Sequence, residues 1–229
     1  MKHRIFLWLT AAITAALTGC ATQLPMALSD TSAPKADKVT LLMSATIDNR
    51  YKASYQPELL VVNVEKGGAK EKADRFNFQP DDKAQRPSEG KNAPNSYLLS
   101  YELAPGDYVM PAMLSMARSF PFIGSFQTVL MQDLSFPKAG VYYIGHVQAV
   151  VRERKDDEER AGPVIPLIDQ AVVGASGGTF DVTISDQWAG DEALFKTAYP
   201  SLAKVGIEKK LLAPHDQAKV KSRWEALKQ

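Results

Sequence analysis

Gly174, Ala175, Ser176, Gly177 and Gly178 spell G-x-S-x-G, a pattern that can lift a serine hydroxyl above a sheet as a nucleophile. Asp186, Asp191 and His215 follow, so the residue types for acyl transfer are present in a workable chain order. The chemistry also needs a strand-to-helix turn at the serine and an oxyanion donor from the next backbone amide. The residues after Ser176 are Gly-Gly-Thr-Phe-Asp-Val-Thr-Ile, which alternate like a strand and open with two poor helix formers. With Val172-Val173 ahead of them, the stretch reads as strand, turn, strand, and Gly174, Gly177 or Gly178 is expected to hold the positive φ of a hairpin turn. Upstream there are neither alternating βα units nor an HGGG-like oxyanion segment. The expectation is a structural turn with no catalytic residue. Its rival is a serine hydrolase using Ser176, His215 and Asp186 or Asp191.

His146 lies in Tyr142-Tyr143-Ile144-Gly145-His146-Val147, among aromatic and β-branched neighbours, and reads as a hydrogen-bonded structural histidine within a strand. No metal site is expected, because the histidines form no i, i+4 pair and have no cysteine partner. Asp81-Asp82 and Asp156-Asp157-Glu158-Glu159 lack the alternating spacing and glycine of a calcium loop. No cofactor motif is present.

The elements that would position these residues are mostly strands. Val39, Leu41, Met43, Ala45 and Ile47 alternate with mostly polar neighbours; so do Leu60, Val62 and Val64, and Tyr97, Leu99, Tyr101 and Leu103. Extended segments follow over Tyr108 to Met116, Gly124 to Phe136, Gly140 to Arg152 and Phe180 to Ser185, parted by Gly and Pro turns. Helical spacing is confined to Asp191 to Tyr199 and to Asp216 to Lys228, where Val220, Trp224 and Leu227 share a face. The pattern predicts a mainly-β chain: an antiparallel β-sandwich of immunoglobulin or transthyretin type with one or two C-terminal helices, spanning residues 38–229. Glu65 to Asn95, with its scattered Gly and Pro, is expected to be a long exposed excursion, and Arg152 to Arg160 a charged tip. Phe120, Phe122 and Phe126, with Trp224, form a candidate partner surface; an apolar pocket near the same phenylalanines would instead suit a carrier of small apolar ligands.

The N-terminus supplies an address. Lys2, His3 and Arg4 precede an apolar run from Ile5 to Ala16, the parts of a secretory signal peptide over residues 1–19. As a helix that run would measure roughly 18 Å, too short for a hydrocarbon core of about 30 Å. The chain has a formal net charge of +1, which gives no electrostatic footprint for nucleic acid.

Leu17-Thr18-Gly19-Cys20 resembles the lipobox of bacterial lipoproteins, which implies cleavage between Gly19 and Cys20 and acylation of Cys20, the single cysteine of the chain. Acyl chains contribute about 0.8 kcal/mol per buried methylene, so several chains would give an effectively permanent anchor in the lipid bilayer. Ala21, the residue after that cysteine, implies the periplasm-facing leaflet of an outer membrane, with residues 20–37 as a lipidated tether.

Leu103-Ala-Pro-Gly-Asp-Tyr108, Gly140-Val-Tyr-Tyr-Ile-Gly145 and the blocks Gly162 to Gln170 and Gly174 to Asp181 also resemble a family of bacterial lipoproteins built on a small β-sandwich. That resemblance implies the fold and the envelope address and carries over no catalytic residue. The resulting expectation is a lipid-anchored, non-catalytic binding or envelope-assembly module whose partner is an envelope protein or cell-wall component.

Overall fold

The alternation of β2 (Val39–Asn49) turns Leu41, Met43, Ala45 and Ile47 to one face, where each is essentially excluded from solvent. The computed structural model describes residues 21–29, 32–90, 92–155, 157–163 and 168–226. Within them the chain forms β1 (Thr22–Pro25), β2, β3 (Glu58–Lys66), β4 (Arg75–Gln79), β5 (Asn95–Leu103), β6 (Gly106–Ser119), β7 (Phe122–Phe136), β8 (Gly140–Glu153), α1 (Ile168–Val172), β9 (Gly178–Ser185), α2 (Trp188–Ala198), β10 (Ile207–Lys209) and α3 (Gln217–Ala226).

The strands make a mainly-β sandwich with helices toward the C-terminal end. One sheet has the order β1-β4-β3-β6-β7. The other has β5-β2-β8, with the far edge of β8 shared by β10 over Val141 to Tyr143 and by β9 over His146 to Glu153. Both sheets are mixed. Hairpin neighbours pair antiparallel, whereas β1 with β4, β10 with β8, and β2 with β8 run parallel. The β2–β8 pairing joins segments roughly a hundred residues apart, a relation that local alternation does not encode.

Between the sheets, Leu41, Met43 and Ile47 meet Val62, Val64, Leu99, Tyr101, Met110, Met113 and Leu130, all at 0% exposure. Each large aliphatic side chain removed from water this way contributes about 1.5–3 kcal/mol. A second apolar cluster lies on the outer face of the β5-β2-β8 sheet, where Leu42, Leu98, Val141 and Tyr143 are covered by Phe195 of α2 and by Tyr199 and Leu202 just beyond it.

Three sequence expectations change. Residues 22–28 are not a tether: β1 pairs with β4, Leu28 is fully buried, and the Ala27 and Leu28 amides donate to the Ser100 carbonyl and hydroxyl oxygens at 2.9 and 3.0 Å. The segment therefore spans from the edge of one sheet to the edge of the other. The excursion from Glu65 to Asn95 contains β4, whose Phe78 packs edge-on against Tyr101 in the core. Finally, Val172 ends a helix rather than a strand. The backbone of α1 and the turn after it docks along β7, with Val173 filling the space left by Gly124, where a Cβ would overlap it. The unpaired edge of β7 explains the override: the Ser125 amide donates to Gln170 Oε1 at 3.2 Å and the Gln127 amide to the Ala161 carbonyl at 2.7 Å.

Candidate functional site

Strict alternation through Tyr142 and Ile144, both turned inward, would send His146 into the core as well. It does not go there. Gly145 holds φ +113°, and the register of β8 against β2 slips between Leu42 and Met43, so Leu42 faces Tyr143 while Ser44 faces His146. The inserted residue reverses the phase, returning Val147 to the core and placing Tyr143 and His146 together on the outer face.

There they meet Ser44 of β2 and Asp191 from the first turn of α2. Ser44 Oγ lies 2.8 Å from His146 Nδ1 and makes a short hydrogen bond to Asp191 Oδ2. The Tyr143 hydroxyl donates to the same carboxylate oxygen at 2.6 Å and accepts from the Gln187 amide at 3.3 Å. One assignment satisfies every atom. Ser44 has a single proton and gives it to Asp191, so it must accept from an Nδ1–H on His146. The four side chains are at most 8% exposed.

Burial, followed by the bond to Asp191, pushes the Tyr143 hydroxyl well above the usual phenol range and keeps it a donor. Burial also lowers the pKa of His146, against the opposing pull of Asp191. With Nδ1 engaged, Nε2 is left as the free ring nitrogen; it has no hydrogen bond among the described residues and is not sealed from solvent. His146, Ser44 and Asp191 line a cleft of about 270 Å³ together with Thr46, Ser96, Gln148, Gln187 and Arg86. Arg86 is carried into place by the segment ahead of β5, where its amide donates to the Ser96 carbonyl at 2.8 Å.

The hydrolase set named from the sequence is placed differently. Ser176 lies in the turn between α1 and β9, its amide donating to the Gln170 carbonyl at 3.0 Å and its carbonyl accepting from Arg160 at 2.5 Å. His215 sits in a small groove with Phe180, Val220 and Trp224, and its buried Nδ1 has no hydrogen-bond partner among the described residues. Asp186 binds Lys209 at 2.7 Å and caps the Trp188 amide, while Asp191 belongs to the Ser44 cluster. No hydrogen bond links Ser176, His215 and either acid among the described residues. A helix precedes Ser176 and a strand follows it, the reverse of a nucleophile elbow.

Of the three turn glycines, Gly174 alone takes positive φ, at +89°. Gly177 and Gly178 serve by smallness instead. A Cβ on Gly178 would approach the Gly174 carbonyl oxygen to 2.6 Å and Val151 Cγ1 to 2.7 Å, and one on Gly177 would stand 3.2 Å from the Tyr51 hydroxyl.

The candidate partner surface also divides. Phe120 is 100% exposed at the β6–β7 tip, whereas Phe126 is buried in edge-to-face contact with Phe180, and Phe122 and Trp224 are half-buried. Phe126 is therefore core, because β7 turns Gly124, Phe126 and Thr128 to one face. Gly19, Cys20 and the signal segment lie outside the described residues. Among the described residues no helix is long and apolar enough to cross a membrane, and no group of three His, Cys, Asp or Glu side chains is placed to hold a metal ion.

The sequence signal that could have found the cleft was weak but real: a histidine one residue after a glycine in an otherwise alternating strand is the mark of a bulge that redirects a side chain. No protein-family model, curated protein or solved structure matches the chain.

Proposed function

We propose that this chain is a lipid-anchored protein of the bacterial envelope whose β-sandwich is a non-catalytic binding module, with the cleft around His146 as its binding surface. The observation that carries the binding role is the closed chain from His146 through Ser44 to Asp191 and Tyr143. It fixes the imidazole at Nδ1 and leaves Nε2 to the cleft, while the proton of Ser44 is directed to Asp191 and not to the imidazole. A serine held this way is an acceptor and a strut, not an activated nucleophile.

The address rests on the lipobox at Leu17 to Cys20. Only Ala21 separates Cys20 from β1, so acyl chains on that cysteine would hold the edge of the β1-β4-β3-β6-β7 sheet directly against the bilayer. In this reading the partner is met at the membrane surface and not at the end of a flexible tether. Expressed in a bacterium with two membranes, the chain should incorporate labelled palmitate and fractionate with the outer membrane. Cys20→Ser should lose both properties, and unchanged labelling in that variant would end the anchor reading. A fluorophosphonate probe should leave the folded protein unlabelled; labelling that disappears in Ser44→Ala or Ser176→Ala would establish an enzyme instead.

A further inference from the structure

We infer that the cleft recognises a carboxylate carrying a neighbouring O–H or N–H donor, the chemistry shared by a peptide C-terminus and a small hydroxy acid, with Arg86 binding the carboxylate and His146 Nε2 the donor. This rests on the reading of the cleft as a binding surface and names what it takes.

Two groups of the cleft lack a partner that a ligand would supply. Arg86 lines the cleft with an exposed guanidinium that makes no ion pair or side-chain hydrogen bond among the described residues. A guanidinium matches a carboxylate through two parallel N–H donors. His146 is 8% exposed and its Nε2 has no partner, although the ring is held rigidly from its other nitrogen. In the neutral ring Nε2 is an acceptor, so it selects a donor on the ligand. The rest of the lining is hydroxyl and amide: Thr46 and Ser96, whose hydroxyls lie 3.2 Å apart, with Gln148 and Gln187. A volume of about 270 Å³ equals roughly nine water molecules, room for a chain terminus or a small acid and not for a folded domain.

Charge limits the anion. The charged and titratable groups lining or supporting the cleft are Arg86 from the segment before β5, Tyr97 from β5, whose hydroxyl accepts from the Leu59 amide, Asp191 from α2, and Tyr143 and His146 from β8; β2 contributes the hydroxyls of Ser44 and Thr46, and β5 also that of Ser96. One cation beside one buried carboxylate suits a monoanion, and a phosphate dianion would meet Asp191 with a single positive partner. Protonation of His146 turns Nε2 from acceptor to donor and leaves the ligand's own donor unpaired, so affinity should fall as pH drops through the histidine range.

Full-length protein in detergent micelles is titrated with N-acetyl-alanyl-alanine, its C-terminal amide, lactate and inorganic phosphate, following heat release and the imidazole nitrogen resonances of His146. The dipeptide acid should bind and shift the Nε2 resonance. Arg86→Gln should weaken it at least tenfold, Arg86→Lys less, and the C-terminal amide should match the loss in Arg86→Gln. Lactate binding as well as the dipeptide would identify the small acid as the source of the carboxylate, and lactate binding tenfold more weakly would identify the peptide terminus. Acid and amide binding alike through His146, or phosphate binding more tightly than either acid, would overturn the carboxylate assignment and leave the cleft a binding site. A His146 resonance indifferent to every probe would overturn both readings.

Discussion

Two serines, Ser176 by its spelling and Ser44 by its neighbours, invite comparison with a hydrolase nucleophile, and their surroundings are built in opposite ways. Around Ser176 the residues are contiguous and the spelling is suggestive, yet the turn is held by backbone: amide to Gln170, carbonyl to Arg160, and glycines pressed against Tyr51 and Val151. Around Ser44 the residues come from β2, β8 and α2 and share no spelling, yet their side chains form one satisfied hydrogen-bonded chain. The difference teaches that a motif specifies a local turn, while a site needs elements brought together from a distance. Substitutions should therefore act on the first region through shape and on the second through polar satisfaction.

The largest effect in the first region is expected at Gly178. A methyl group there meets two backbone oxygens and Val151, so Gly178→Ala should cost about 3 kcal/mol, seen as a lower urea midpoint at unchanged slope. Ser176→Ala, two residues away, should stay within about 0.5 kcal/mol. A large loss at Ser176 would show that its hydroxyl, and not only its backbone, is part of the structure.

Next in size is the second region. Asp191→Ala leaves the buried hydroxyls of Ser44 and Tyr143 without their acceptor and should cost about 2–3 kcal/mol, clearly more than the loss of the exposed Asp186 side chain in Asp186→Ala. Ser44→Ala should cost about 2 kcal/mol by orphaning the His146 Nδ1–H. If Ser44→Ala and Ser176→Ala proved equal, the contrast between the two regions would fail.

A smaller, pH-dependent effect follows from His146. Its folded pKa is lowered from 6.5, chiefly by burial, so between the folded and unfolded values the unfolded chain binds more protons. Stability is then full above the unfolded pKa and falls as pH drops below about 6.5 toward the folded value. His215 is lowered by burial too and acts in the same direction. His146→Gln should remove part of the acid-side slope in urea unfolding between pH 7 and 5, and His215→Gln a further part.

Most of the strands were legible because one face is buried and alternation records it: Val39 to Ile47, Tyr97 to Leu103 and Phe180 to Ser185 all became strands. What escaped was set by partners distant in sequence. Nothing local in Val172-Val173 distinguishes a strand from the end of a helix; docking against Gly124 and the need to cover the edge of β7 decide it. The bulge at Gly145 moved His146 from the predicted interior of a strand to the floor of a cleft, and the parallel pairing of β2 with β8 brought Ser44 to it. The role read for His146, a hydrogen-bonded side chain in a strand, describes its Nδ1 and omits its Nε2.

The smallest effect is expected at the β6–β7 tip, where Phe120 is fully exposed and Ile123 is 53% exposed. The Phe120 ring is not withdrawn from water there, so removing it forfeits little burial; Phe120→Ser should change stability by less than about 0.5 kcal/mol, whereas Phe126→Ala, inside β7, should cost about 3–5 kcal/mol. A tip that loses stability like the core would mean that the hairpin closes on the body of the protein. A tip that is silent in unfolding, in a chain whose Phe126 is not, separates the candidate surface into one residue free for contact and one committed to the fold.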